Sequence, residues 1–322
     1  MNNSMEIVIL DGYTLNPGDL SWKALEQLGN VTNYYRTSTA EIVQRAIHAD
    51  ILLTNKTKLS AETIIQLPNL KYIGVLATGY DVIDVKTAAQ QGIVVSNVPG
   101  YGTSSVAQMV FALLLEFCQH PGLHNEAVRA GEWASSKDWC FWKKPLIELE
   151  GKTIGIVGYG RIGQQTGNIA RAFGMKVAAI RSDRHPIEAL DVVWCSREEL
   201  LACSDVLTLH CPLTPQTERM INKESLSTMK KNAFLINTSR GMLIDEQDLA
   251  DALNQEVIAG AGLDVLSMEP PASNHPLVTA KNCIITPHIA WASIEAREKL
   301  LGNVISNVEG FLSGKPQNVI TI

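Results

Sequence analysis

Gly158, Gly160 and Gly163 stand at the glycine positions of a G-x-G-x-x-G run, Gly158-Tyr159-Gly160-Arg161-Ile162-Gly163. Alone, such a run is weak evidence, because glycine is common and the positions are few. Its setting narrows the reading. The run directly follows the apolar stretch Ile154-Gly155-Ile156-Val157 and opens a predicted helix over residues 164–173, which Gly174 ends before a strand begins at Val177. In that strand, turn and helix, Gly158 permits the tight turn, Gly160 lets a pyrophosphate approach without a Cβ in its way, and Gly163 lets the helix lie close on the strand. The helix N-terminus then offers unpaired N–H groups and partial positive charge to phosphates. A purely structural glycine turn is the plainer alternative.

A site that prefers NAD places a carboxylate about 18 residues past the last glycine, where it accepts hydrogen bonds from the adenosine ribose. Here that position is Arg181, in the run Arg181-Ser182-Asp183-Arg184-His185. Arg181, Ser182 and Arg184 provide cations and a hydroxyl suited to a 2′-phosphate. The expected cofactor is NADP over NAD. Asp183 could serve the ribose of NAD if the turn is shifted, and a solvated charged loop would explain the same residues.

Three further segments, each following a strand candidate, carry groups able to move protons or bind anions: Asn237-Thr238-Ser239-Arg240-Gly241, then Leu263-Asp264-Val265 through Glu269-Pro270, then Thr286-Pro287-His288-Ile289-Ala290-Trp291. Taken singly, each has a bland explanation. A strand-end histidine is usually a satisfied structural residue, Glu269 before Pro270-Pro271 could be a solvated loop charge, and Arg240 could cap a helix.

The elements that must position these residues form two alternating series. Residues 7–10, 51–53, 72–76 and 93–96 read as strands, with helix-period segments at 60–66 and 85–91, the second stopped by Gly92. Such alternation predicts a small parallel α/β domain. After a turn-rich passage at 98–102, Ser104 is placed to cap a long apolar helix over 105–119, with another helical stretch near 125–131. The second series has strand candidates at 153–157, 177–180, 206–210, 233–238, 257–265 and 283–286, which describes a doubly wound sheet. A long amphipathic helix is expected at 293–313, and residues 316–322 could dock back onto the first domain. The aromatic stretch 133–145, with Trp133, Trp139, Phe141 and Trp142, has neither helical nor strand period; an interface, a pocket cap and ordinary packing all fit it.

At these motifs the sequence resembles the D-isomer-specific 2-hydroxyacid dehydrogenases, especially the glycerate dehydrogenase and hydroxypyruvate reductase group, over essentially the whole chain. The resemblance implies a doubly wound Rossmann nucleotide-binding domain at residues 101–291 and a smaller flavodoxin-like α/β substrate domain from residues 1–100 and 292–322. It places Arg240, Glu269 and His288 on the family's catalytic arginine, glutamate and histidine. Reduction of a keto carbon leaves alkoxide charge on oxygen, so the chemistry needs a proton donor and a cation there. His288 would be the donor, Glu269 would orient its ring and favour the charged form, and Arg240 would bind the substrate carboxylate and polarise the carbonyl. The loop Leu76-Ala77-Thr78-Gly79-Tyr80-Asp81 resembles the family's substrate loop, so Ala77, Thr78 and Gly79 are assigned to the substrate and Thr78 also to the cofactor; an ordinary strand-to-helix turn is the alternative. Arg161, Ile162, Cys211, Thr238 and Asp264 fall on family cofactor positions, with Asp264 expected nearest the nicotinamide. Glu269 disfavours the formate dehydrogenase branch, which carries glutamine there.

The implied activity is reduction of hydroxypyruvate or glyoxylate to a D-2-hydroxy acid such as D-glycerate. A broader 2-ketoacid reductase acting on 2-ketogluconate or branched keto acids, and a dinucleotide-sensing corepressor-like protein, are the other readings. Family resemblance also implies a homodimer, for which the 105–119 helix offers an apolar face that core burial would equally explain.

Composition agrees with this class. The 322 residues, 46% apolar and 19% charged, suffice for two domains with their own cores. A net charge of −6 with both signs interspersed argues against a nucleic-acid partner. The N-terminus lacks a signal-peptide pattern, and the longest mostly apolar run, 106–117, is too short to span a bilayer, so a cytoplasmic protein is expected. Six cysteines without C-x-x-C or Cys/His ligand spacing read as thiols in a reducing compartment, and no metal is expected.

Overall fold

A computed structural model describes residues 4–180 and 191–321. The chain divides into two compact units, one built from the N-terminal segment through Gly102 together with residues from Ala292 onward, the other from Thr103–Trp291.

The first unit is a five-stranded sheet of β1 (Glu6–Ile9), β2 (Asn30–Asn33), β3 (Ile51–Thr54), β4 (Tyr72–Val75) and β5 (Val94–Ser96). Every pairing is parallel and the order is β2-β1-β3-β4-β5, the flavodoxin-like arrangement. β3 and β4 are buried along their whole length, as near-continuous apolar strands covered on both faces must be. β2 was not expected from the sequence: Asn-Val-Thr-Asn is a polar edge strand with no buried position. The C-terminal helix Ile294–Leu312 buries Leu300, Leu301, Val304 and Val308. The tail beyond it returns to β5, where the Ile320 N–H donates to the Val95 carbonyl at 2.8 Å.

The second unit is a seven-stranded parallel sheet: β6 (Thr153–Val157), β7 (Lys176–Ile180), β8 (Val192–Cys195), β9 (Val206–Leu209), β10 (Phe234–Asn237), β11 (Gly260–Leu263) and β12 (Cys283–Ile285). Its order, β12-β11-β10-β9-β6-β7-β8, is doubly wound, and the winding reverses between β6 and β9. Ligands of such sheets bind beyond the carboxyl ends of the strands at that switch point. β8 is an edge strand beyond the six expected ones, and the expected strand over 257–265 shortens to Gly260–Leu263.

Helix starts differ from the sequence reading. The long helix is Thr103–Gln119, so Ser104 lies within it, and the Ser105 hydroxyl donates to the Ala290 carbonyl at 2.7 Å. Its apolar face, including Val110, Phe111, Leu114 and Phe117, is buried in the unit's own core. The next helix is Pro121–Arg129, begun by a proline at its first turn, where a missing N–H costs no intrahelical bond. Among the described residues no helix is long and apolar enough to cross a membrane, and no cluster of three or more His, Cys, Asp or Glu could hold a metal ion.

Candidate active site

The glycine loop leaves β6 and enters the helix Arg161–Ala172, which begins three residues before the expected start. Gly158 has φ +99°, and a Cβ there would come within 2.6 Å of the His210 carbonyl carbon, so the turn lies against the chain leaving β9. A Cβ on Gly163 would fall 2.3 Å from the Gly158 carbonyl oxygen and 3.0 Å from Ile156 Cγ2, which is the close helix-to-strand approach that only glycine allows. Gly160 differs: a Cβ there would meet nothing within 4 Å. That glycine faces open space ahead of a helix whose first N–H groups have no side-chain cap. The loop therefore fits a pyrophosphate, since nothing stands where a side chain would sit and the helix N-terminus behind it has no side-chain cap among the described residues.

Behind the loop, His210 bridges strand and helix: its Nε2 lies 3.0 Å from Thr208 Oγ1 and 3.4 Å from Thr166 Oγ1. Burial pushes its pKa down to about 3, so it is a neutral brace. The sequence reading missed it, because both partners are recognisable only once β9 and the helix are side by side. Cys211 is buried, with burial raising its thiol to about 11, and its carbonyl accepts from the Ser239 hydroxyl at 2.8 Å. Thr238 is buried, and its hydroxyl has no protein partner among the described residues. Arg161 is exposed and Ile162 half-buried at the start of the helix. Arg181, Ser182 and Arg184 lie outside the described residues.

Arg240 follows β10 in an extended conformation. Asn237 shapes its turn, accepting the Ser239 N–H at 3.0 Å through Oδ1 and donating from Nδ2 to the Arg240 carbonyl at 2.9 Å. The following Gly241 lies so close to the next loop that a Cβ would sit 2.0 Å from the Leu266 carbonyl carbon and 2.2 Å from the Ser267 nitrogen. The arginine turn is thus pressed directly onto the loop that carries Glu269.

Both carboxylate oxygens of Glu269 are engaged. Its Oε1 accepts the Leu266 N–H at 3.0 Å, and its Oε2 lies 2.5 Å from His288 Nδ1. Both side chains stay partly exposed, about 32% for Glu269 and 28% for His288. His288 has φ +54°, a left-handed conformation that costs a non-glycine residue on the order of 1–3 kcal/mol. Its N–H bonds to the Asp264 and Thr286 carbonyls and its own carbonyl accepts from Trp291 Nε1 at 2.9 Å, which together hold the turn.

Asp264 is the foundation of that turn. It is 1% exposed, and its carboxylate accepts from the Thr286 hydroxyl at 2.6 Å, the Ile289 N–H at 2.9 Å and the Ala290 N–H at 2.8 Å. Burial raises its pKa, against the lowering effect of these bonds and of His288. Its side chain fastens the histidine loop to β11. The signal in the sequence is an Asp just past one strand and a Thr just past the next, and it becomes legible only once β11 is known to pair with β12.

In the first unit, the loop after β4 is fastened to the chain leaving β5: Thr78 Oγ1 donates to the Val98 carbonyl at 2.8 Å, Asn97 Nδ2 donates to the Thr78 carbonyl at 2.6 Å, and the Val98 N–H donates to the Ala77 carbonyl at 3.0 Å. Ala77 and Gly79 are half-buried and Thr78 is exposed.

Residues 111–290 match the family described as D-isomer specific 2-hydroxyacid dehydrogenase, NAD binding domain. The chain is 54% identical over 320 residues to a hydroxypyruvate reductase of Blautia hydrogenotrophica, covering 98% of this chain and 99% of that one. It is 44% identical over 282 residues to a glycerate dehydrogenase of Methylorubrum extorquens, covering 87% and 88%. Among solved structures, the NADPH-dependent glyoxylate/hydroxypyruvate reductase of Sinorhizobium meliloti in complex with citrate superposes with a TM-score of 0.84 at 28% identity, covering 98% of each chain. With a Rossmann sheet, a glycine loop shaped for a pyrophosphate and a glutamate-held histidine at the strand ends, the chain belongs to the D-isomer specific 2-hydroxyacid dehydrogenases, oxidoreductases that interconvert 2-keto acids and D-2-hydroxy acids.

Proposed function

We propose that this enzyme uses NAD(P)H to reduce hydroxypyruvate or glyoxylate, forming D-glycerate from the former, with His288 as the proton donor. The observation that carries the mechanism is the 2.5 Å contact between His288 Nδ1 and Glu269 Oε2, on a loop pressed against the turn that follows Arg240. The substrate class draws support from the relatives, a hydroxypyruvate reductase and a glycerate dehydrogenase, each matched over most of its length.

Gly158, Gly160, Gly163 and the start of the helix at Arg161 would hold the cofactor pyrophosphate, with Ile162, Cys211, Thr238 and Thr78 assigned to the rest of the dinucleotide by family position. When bound, the reduced nicotinamide supplies the hydride. The chain's own residues handle the charge that follows. Glu269 accepts the Nδ1 hydrogen of His288, which fixes the ring and leaves Nε2 to give its proton to the substrate oxygen. Arg240 pairs with the substrate carboxylate and draws electron density from the carbonyl, stabilising the oxygen as negative charge develops. Ala77, Thr78 and Gly79 are assigned to the substrate carboxylate, which gives the first unit its substrate-binding role. Asp264 acts through the histidine loop.

NADP is the preferred cofactor in this reading, because Arg181 stands where the usual ribose-binding acid would and Ser182 and Arg184 follow it in the sequence. The Sinorhizobium relative's NADPH dependence agrees with that preference. We further place the enzyme in the cytoplasm as a homodimer. Support for the dimer is the aromatic loop: Trp139 is 87% exposed and Trp142 67%, although Trp133 Nε1 donates to the Trp139 carbonyl and Lys143 N–H to His124 Nε2, so the loop is fastened while its tryptophans face outward.

Steady-state rates with hydroxypyruvate, glyoxylate, 2-ketogluconate and a branched keto acid, each with NADPH and NADH, test the proposal. Hydroxypyruvate and glyoxylate with NADPH should give the highest kcat/KM. If both are among the poorest substrates, the substrate assignment is wrong.

A further inference from the structure

Glu246 begins the helix Glu246–Asn254, where the positive end of the helix dipole favours its charge. Its carboxylate reaches across to the loop that carries Glu269. Oε1 accepts the Ser267 N–H at 2.7 Å, Oε2 accepts the Ser267 hydroxyl, and His275 Nε2 lies 3.1 Å from the same oxygen. His275 Nδ1 accepts the Leu277 N–H, so the ring hydrogen sits on Nε2 and is donated to Glu246 without any need for the ring to be charged. The Glu246 and His275 side chains are only 14% and 11% exposed. A carboxylate with this many donors, held out of water at both ends, is a fixed strut rather than a mobile surface ion pair.

The strut joins the two arms of the active site. Glu246 lies six positions after Arg240 on the same segment, and Ser267 is the residue whose backbone is pressed against Gly241. Ser267 also follows Leu266, whose N–H holds the Glu269 oxygen turned away from His288. A shift of Ser267 therefore moves the Leu266 N–H, and with it the Glu269 carboxylate that orients the imidazole.

We propose that Glu246 is a positioning residue for the reaction, braced by His275, which locks the Arg240 turn and the Glu269–His288 couple into one register through Ser267. The proposal rests on the proton-donor role given above to His288. It needs only a small displacement to matter, because misplacing a catalytic group by about 1 Å can cost roughly 10²-fold in rate.

The test uses the full-length wild type and the variants Glu246→Ala and Glu246→Gln. Two readouts are followed: keto-acid turnover, and the downfield proton resonance of the His288–Glu269 hydrogen bond, identified by its loss in Glu269→Gln. Glu246→Ala should lower kcat by about tenfold or more and shift or broaden the resonance, while the dissociation constant of NADPH stays within about twofold. Glu246→Gln keeps an acceptor for the Ser267 N–H but turns an amide donor toward His275 or the serine hydroxyl, so it should fall between the two. It also serves if the alanine variant does not fold. A variant that melts earlier yet keeps wild-type kcat and an unmoved resonance would overturn the proposal and leave Glu246 a purely structural residue. If the resonance responds to Glu246 but no keto acid is turned over by the wild type, the functional reading fails while the positioning link stands.

Discussion

His288 Nδ1 lies 2.5 Å from Glu269 Oε2, a bond between side chains 19 residues apart on loops that leave adjacent strands. In the proposed mechanism the pairing fixes which ring nitrogen would meet the substrate, because Nδ1 is engaged and Nε2 is left to carry the proton. Neither residue is deeply buried, so the couple is set by loop geometry rather than by enclosure.

Glu269→Gln keeps the size of the side chain and removes its charge. Turnover should fall by about 10- to 100-fold, because an amide holds the imidazolium less well than a carboxylate does. Cofactor affinity, measured by fluorescence titration with NADPH, should stay near the wild-type value. A variant with unchanged kcat would show that Glu269 is a loop charge.

Gly160→Ala and Gly163→Ala should separate cofactor binding from folding. The Gly160 Cβ would enter open space, so that variant should melt like the wild type but bind NADPH about tenfold or more weakly. The Gly163 Cβ would meet the Gly158 carbonyl oxygen at 2.3 Å, so that variant should melt several degrees lower whether or not cofactor is added. Thermal melts with and without NADPH distinguish the two. Equal behaviour of the variants would contradict the reading of the loop.

Asp264 gives a pH prediction. Burial lifts its carboxyl above the ordinary 3.8, so the folded chain binds this proton more tightly than the unfolded chain does. Its contribution to stability is therefore complete below about pH 3.8 and declines as the pH rises through the raised value. Asp264→Asn cannot titrate, and it also presents an amide to N–H donors that had accepting oxygens, a loss of about 1–3 kcal/mol. In urea unfolding from about pH 3.5 to pH 7, the stability advantage of the wild type over the variant should shrink as pH rises and then level off. A difference that is constant over that range would contradict the burial argument.

Arg181→Asp should move cofactor preference from NADPH towards NADH, read as the ratio of kcat/KM for the two with hydroxypyruvate. The new carboxylate repels a 2′-phosphate and can accept from ribose hydroxyls. An unchanged ratio would show that Arg181 does not reach the ribose phosphate.

The sheets were legible in the sequence where strands are buried on both faces. β3, β4, β9 and β10 are mostly apolar runs with every position buried. The strands that escaped notice are edges. β2 buries none of its residues, and β8 leaves Val193 62% exposed, so neither needed the apolar run that marks a central strand. Helix starts slipped because the long helix begins at Thr103 and the cofactor helix at Arg161, in both cases ahead of the first strongly apolar periodic residue.

At the site, the glycine loop could be picked out by its setting and Arg240, Glu269 and His288 by their order and family resemblance, and the structure pairs Glu269 with His288. The residues that position them could not. Glu246 looks like an ordinary first-turn acid, and its partners Ser267 and His275 lie 21 and 29 residues away, visible only once the loops are folded together. Asp264 could be picked out as a cofactor contact by family position, whereas its bonds to Thr286, Ile289 and Ala290 depend on the pairing of β11 with β12.

The most direct test is the single-turnover rate of hydroxypyruvate reduction by His288→Ala saturated with NADPH. Loss of the proton donor predicts a rate lower by roughly 10²-fold or more, with NADPH bound as tightly as by the wild type. A rate close to that of the wild type would mean that the proton comes from elsewhere.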